Sequence, residues 1–246
     1  MPAGREITSP PAPGAIDVWI VEPPLIQDGA LLVAYDRLMS DDERAKQRAF
    51  VFEANRREQL VARALVRTTL SRYSSLRPEQ WRFSRNAYGR PAIAPPSTLH
   101  FNLSHHPTMV VCAVTAGAEI GVDVEPLQRG DEILEIADRM FAKRELDDLR
   151  ALPAAAVHDR AVSLWTLKEA YIKARGMGLR LPLDQFSIQI QPQRRIGIVF
   201  APEFGDDAGR WCFTQASPSP RLRLAIADGS GQNGGLPIIN QPWPVL

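Results

Sequence analysis

The order of elements predicts an α+β protein of two similar halves. Each half carries helices packed on a small, mainly antiparallel sheet. Three observations lead there. Runs of helix are followed by runs of strand instead of alternating with them, which argues against a parallel α/β sheet. The order helix, long helix, strands occurs twice, at a period of roughly 100 residues, as in an internal repeat. Of the 246 residues 45% are hydrophobic and 23% charged, enough to bury a sizeable core. The halves divide into residues 1–118 and 119–246.

Taken in order, Ile16–Glu22 reads as a strand around Trp19. Ser40, Asp41, Asp42 and Glu43 have the capping-box form and open a helix reaching about Phe52. A longer helix runs from about Arg56 to Leu76, with Leu60, Ala64, Val66 and Leu70 near helical spacing. Trp81–Ser84, a turn at Asn86–Gly89 and a strand at Leu99–Leu103 follow. Met109–Val114 and Glu119–Val124 are apolar, β-branched runs joined by Thr115 to Ala118, a hairpin pattern. In the second half Asp131–Met140 and Lys143–Ala151 read as short helices. A long helix spans about Ala154 to Arg175 and ends at Gly176. Phe186–Ile190, Ile196–Phe200, Trp211–Thr214 and Leu222–Ala227 read as strands. The tail, residues 229–246, is uncharged, rich in Gly and Pro, and reads as a loose extension.

Composition excludes several classes. Two cysteines, Cys112 and Cys212, exclude a disulfide-rich scaffold, and no Cys/His cluster suggests zinc. Residues 1–14 hold four prolines and no apolar run, unlike a signal peptide. Residues 91–118 are uncharged, yet Pro95, Pro96, Asn102, His105, His106 and Pro107 interrupt them, so no membrane span is expected. A cytoplasmic protein is the expectation. The formal charge of +1 hides a split. Residues 37–90 hold 13 basic against 6 acidic residues, and residues 117–159 hold 5 against 11. The first region could face an anion, the second a cation; both could also be solvated faces.

Four segments carry possible chemistry. In Gly121-Val122-Asp123-Val124-Glu125 strand alternation puts both carboxylates on one face, about 7 Å apart at their Cα atoms. Such a pair repels unless a cation intervenes, and a hard ion such as Mg²⁺ suits oxygen ligands. A solvated edge-strand face fits the same spacing. In Trp165-Thr166-Leu167-Lys168-Glu169-Ala170-Tyr171-Ile172-Lys173, helical spacing stacks Trp165, Glu169 and Lys173 beside an apolar stripe of Leu164, Leu167, Tyr171 and Ala174. That pattern is either an ordinary Glu–Lys helix pair or a carboxylate and an ammonium entering a cleft. Phe101-Asn102-Leu103-Ser104-His105-His106 offers a hydroxyl and an imidazole for an anion, though His105 could equally be structural. Arg85-Asn86-Ala87-Tyr88-Gly89-Arg90-Pro91 is a turn between guanidiniums that suits a phosphate or ribose, or an ordinary surface turn. No Walker loop or dinucleotide glycine fingerprint occurs.

In their order these four segments resemble the 4'-phosphopantetheinyl transferases of the larger, Sfp type, over about Ser40 to Ile190. The resemblance implies two α+β halves in one chain, with coenzyme A held in the cleft between them. It implies that a carrier-protein serine attacks the β-phosphate and that adenosine 3',5'-bisphosphate leaves. By motif, Asp123, Glu125 and Glu169 would surround Mg²⁺ on the diphosphate. Asp123, Glu169 and Lys173 would be catalytic, with Glu169 as the candidate base and Lys173 on a diphosphate oxygen. Ser104 and His105 would contact phosphate oxygens. Lys46, Arg57, Arg85, Gly89 and Arg90 would serve the 3'-phosphate and adenosine end, with Arg90 standing where many relatives have lysine. The expected partners are coenzyme A and an acyl or peptidyl carrier protein, with no nucleic acid and no membrane, and the expected state is a monomer. Two other readings use the same residues: a Mg²⁺-dependent hydrolase of nucleotide diphosphates, and a non-enzymatic module binding RNA through the basic helices, which lacks an aromatic stacking platform.

Overall fold

The computed structural model describes residues 9–12, 14–191 and 196–231, with the backbone of 238–240. In chain order the elements are β1 (Ile16–Val21), α1 (Gly29–Leu38), α2 (Asp41–Arg48), α3 (Glu53–Arg72), β2 (Arg82–Arg85), β3 (Pro91–Ala94), β4 (Leu99–His106), β5 (Met109–Ala116) and β6 (Ile120–Pro126). Then follow α4 (Gly130–Met140), α5 (Lys143–Arg150), α6 (Ala154–Arg175), β7 (Phe186–Ile190), β8 (Ile196–Phe200), β9 (Cys212–Ala216), β10 (Leu222–Asp228) and β11 (Ile238–Asn240). The fold is α+β in two units. One takes the described residues of Met1–Arg85, Pro91–Gly117 and Pro237–Leu246; the other takes Asn86–Arg90 and those of Ala118–Leu236.

The first unit is built on a sheet of order β11-β1-β5-β4, with β2 and β3 as a separate antiparallel pair. β5 lies antiparallel to both β1 and β4 and is buried at every residue but the last. Its small and β-branched residues suit a strand covered on both faces. α3 supplies Leu60, Ala64, Leu65 and Leu70 to a core shared with Trp19, Phe101, Val110 and Val114. Ser40 caps α2 as its sequence predicts: its hydroxyl accepts from Glu43 N–H at 3.3 Å, and Glu43 Oε2 accepts from Ser40 N–H at 2.9 Å.

Five points differ from the sequence reading. The helix opened by Ser40 stops at Arg48, well before Phe52, because Val51 and Phe52 have nothing to pack on and stand 81% and 70% exposed. α3 starts and ends about three residues early. α1 has no counterpart in the sequence reading; Asp28 caps it by accepting from Ala30 and Leu31 N–H, but a glycine at the first helical position hid the signal. The hairpin predicted over 109–124 does not form. β5 pairs with β1 and β4, and β6 pairs with β10. Two adjacent β-branched runs look like a hairpin, yet each is an inner strand that finds better partners far along the chain. The tail is not loose throughout, since β11 runs parallel to β1, with Val18 opposite Ile239.

The second unit repeats the plan with a sheet of order β6-β10-β9, both pairings antiparallel, and a β7–β8 hairpin. α6 is buried nearly all round from Ala161 to Ala174. Leu167, Ala170 and Tyr171 share a core with Ile133, Phe141, Phe186, Ile188, Trp211 and Ala225. α6 ends as predicted, with Gly176 in the left-handed region at φ 65° and its N–H on Ile172 O at 2.9 Å. Among the described residues no helix is long and apolar enough to cross a membrane.

Candidate active site

β6 and α6 build the site, and a glycine sets their distance. A Cβ on Gly121 would overlap the carbonyl oxygen of Ala170 and lie 2.5 Å from Ala174 N. The strand backbone thus rests directly on α6, with two alanines facing it. Gly121→Ala must push α6 off β6 and is expected to destabilise the protein by about 1–3 kcal/mol. Thermal unfolding measures that.

Strand alternation sends Val122 and Val124 into the core and Asp123 and Glu125 to the opposite side. Asp123 is 4% exposed and accepts from Lys173 Nζ at 2.6 Å. Glu125 accepts from Arg129 Nη1 at 2.6 Å and from Trp165 Nε1 at 3.3 Å. Trp165, Glu169 and Lys173 stack one turn apart on α6, so the strand carboxylates and the helix stripe meet. Burial and then the charge of Asp123 push the Glu169 carboxyl up to about 7, with Glu125 adding and Lys173 opposing. Burial and Asp123 also raise Glu125, against the pull of Arg129.

Among the described residues no group of three or more His, Cys, Asp or Glu side chains forms a ready metal cradle. Lys173 meets an oxygen of Asp123, and Arg129 an oxygen of Glu125. The donors still fit a hard divalent ion. All are carboxylate oxygens, and the charges of Asp123 and Glu125, which after burial raise Glu169, are ones that such an ion would offset.

The turn expected at a ligand does structural work in the second unit. Asn86 Nδ2 donates to Gly176 O at 2.7 Å, and Arg90 donates to Ala174 O at 2.5 Å and Ile120 O at 3.1 Å. Arg90 therefore ties the end of α6 to β6, and a phosphate would have to compete with those carbonyls. Gly89 takes φ 90°, a conformation that favours glycine in this turn.

In the first unit Ser104 and His105 lie within β4, which extends past the predicted strand end. Adjacent strand residues face opposite ways, so Ser104 is buried at 3% while His105 keeps its ring partly exposed. Their side chains therefore leave β4 on opposite faces. Arg57 on α3 donates to Ile26 O at 2.7 Å, Lys46 on α2 is exposed, and Arg85 ends β2, also exposed. The sequence did not single out Arg129, Gly121 or Glu58. Arg129 could have been found as a cation four residues after Glu125; the other two depend on partners distant in the chain.

Comparison with known proteins gives two family models. One, described as 4'-phosphopantetheinyl transferase superfamily, matches residues 119–227. The other, described as 4'-phosphopantetheinyl transferase, N-terminal, matches residues 28–117. The chain is 37% identical over 160 residues to the 4'-phosphopantetheinyl transferase Sfp of Bacillus subtilis, covering 65% of this chain and 70% of that one. It is 30% identical over 215 residues to the 4'-phosphopantetheinyl transferase HetI of Nostoc, covering 86% of each. Two matched models that meet near the boundary between the units, with relatives aligned over most of their length, establish that the chain belongs to the 4'-phosphopantetheinyl transferase family, in its Sfp type.

Proposed function

We propose that this chain transfers the 4'-phosphopantetheine group of coenzyme A to a serine of an acyl or peptidyl carrier protein and releases adenosine 3',5'-bisphosphate. The observation that carries the reading is the meeting of Asp123, Glu125, Glu169 and Lys173 at the contact of β6 with α6, in a chain of this family. A divalent cation, which we take to be Mg²⁺, would neutralise diphosphate charge as the bridging bond breaks. Asp123, Glu125 and Glu169 are the residues fitted to hold it. Lys173, released from Asp123, would bind a diphosphate oxygen and offset the charge of the leaving group. Glu169 faces the strand carboxylates from α6, and we assign it the proton of the carrier serine. A carboxylate has two oxygens, and Glu169 can use one toward the cation and the other toward that proton.

For the phosphates of coenzyme A we propose His105, Lys46, Arg57 and Arg85. The basic stretch from Arg37 to Arg90 suits an acidic carrier surface. We also propose a cytoplasmic monomer. Cys112 and Cys212 are free thiols, as a reducing compartment leaves them, and one chain supplies both halves. Incubating the protein with coenzyme A, Mg²⁺ and an apo carrier should add the phosphopantetheine mass to the carrier in mass spectrometry. Release of the bisphosphate at the same rate without any carrier would point instead to a hydrolase.

A further inference from the structure

Glu58 is a buried carboxylate with an unusual partner. It lies on α3 and is 7% exposed. Its Oε1 is bonded to His105 Nδ1. No lysine or arginine pairs with it among the described residues. His105 lies on β4 on the same face as Leu99 and Phe101, the face that α3 covers, with about a third of its side chain exposed (34%). Its other nitrogen, Nε2, lies 3.5 Å from Gln59 Nε2, the next residue of α3.

A buried carboxylate is tolerated only where a hydrogen-bond donor or cation meets it. Here that donor is the Nδ1–H of His105. Such a contact fixes the ring plane and places one proton on Nδ1, which leaves Nε2 as the nitrogen turned away from the carboxylate. An anion reaching Nε2 would take the place of the Gln59 amide and would need a proton on that nitrogen.

We propose that Glu58 is a positioning residue that orients His105 so that Nε2–H meets a phosphate group of coenzyme A. This rests on the transferase reading. The shared chemistry is a phosphate oxygen, and coenzyme A offers two sources, its 3'-phosphate and its diphosphate.

The test measures KM and kcat for coenzyme A and for 3'-dephospho-coenzyme A with Glu58→Ala, Glu58→Gln, His105→Ala and the double variant Glu58→Ala/His105→Ala. Glu58→Ala should raise KM for coenzyme A by about tenfold, as loss of a partner that orients a histidine does, with kcat within about twofold. Glu58→Gln, which still accepts from Nδ1–H, should keep most of the affinity. The double variant should be no worse than His105→Ala alone, because both act through one contact. An effect that vanishes with 3'-dephospho-coenzyme A assigns the 3'-phosphate, and one that persists assigns the diphosphate. Unchanged KM in Glu58→Ala, or additive losses in the double variant, would overturn the proposal. Imidazole ¹⁵N shifts of the unaltered protein read the tautomer without any variant, and a free ring protonated only on Nε2 would also overturn it. If the unaltered protein modifies no carrier, the transferase reading fails. Coenzyme A titration by calorimetry then still reads Glu58 by itself, through tenfold weaker binding in Glu58→Ala or through none.

Discussion

Glu169→Ala lowers carrier modification by at least about a thousand-fold, because one side chain is asked to serve as both proton acceptor and cation ligand. The assay is the rate of phosphopantetheine mass gain on an apo carrier at saturating Mg²⁺. Activity within about tenfold of the unaltered protein would remove Glu169 from both roles. A stability measurement separates this from misfolding, and its sign follows from the raised carboxyl. Folded, Glu169 titrates at about 7, against 4.5 for the unperturbed group. Between these values the folded state binds more protons than the unfolded one, so this group's contribution to stability falls as pH rises through the window. Above it the full penalty for the buried charge applies. Glu169→Gln removes the penalty and should stabilise the metal-free protein at pH 8 on the order of 1–3 kcal/mol, while leaving it nearly unchanged at pH 4. Thermal unfolding in EDTA at the two pH values reads the difference. A variant both inactive and more stable at pH 8 has lost chemistry and kept its fold.

The largest effect on folding is expected one residue earlier. Lys168 and Glu145 are both fully buried, and the ammonium donates to Glu145 Oε2 at 2.6 Å and to Phe186 O at 2.7 Å. Glu145 in turn accepts from Ala142 N–H at 2.8 Å and Ile188 N–H at 2.7 Å. Burial disfavours both charged forms, lowering Lys168 and raising Glu145, and each partner's charge opposes the shift of the other. The pair joins α5, α6 and β7, and so sets the rotation of α6 that carries Glu169 and Lys173. Lys168→Ala strands a buried carboxylate and should cost about 3–5 kcal/mol. Chemical denaturation measures it. Lys168→Met with Glu145→Leu should recover much of that loss, since an apolar pair of similar volume leaves no charge to compensate. A single variant as stable as the parent would mean that the two groups are neutral in the folded protein.

Lys168 also shows where the sequence stopped being legible. Its neighbours Trp165, Glu169 and Lys173 were readable from helical spacing, and the bounds of α6 were readable from its apolar run and Gly176. The partner of Lys168, 23 residues back, was not, because nothing local marks a buried ion pair. Strand alternation was enough to put Asp123 and Glu125 on one side, whereas Gly121 looked like any glycine until α6 lay against it. The same limit produced the false hairpin at 109–124. Local pattern identified both strands, but pairing is settled by which distant strand buries each face. Arg90 carried the charge expected of a ligand contact, yet carbonyls of α6 and β6 take it up.

The parallel pairing of β11 with β1 makes the second unit an excursion in the chain, which leaves the first unit after Gly117 and returns to it with β11. Shortening the chain before Ile238 would therefore harm the unit that is furthest away in sequence. It would strip one side of β1, whose Ile-Asp-Val-Trp-Ile-Val is buried at all but one position, and leave a bare apolar border open to other molecules. Damage at the carboxyl end would then show as clumping of protein whose acidic residues on β6 and α6 are untouched.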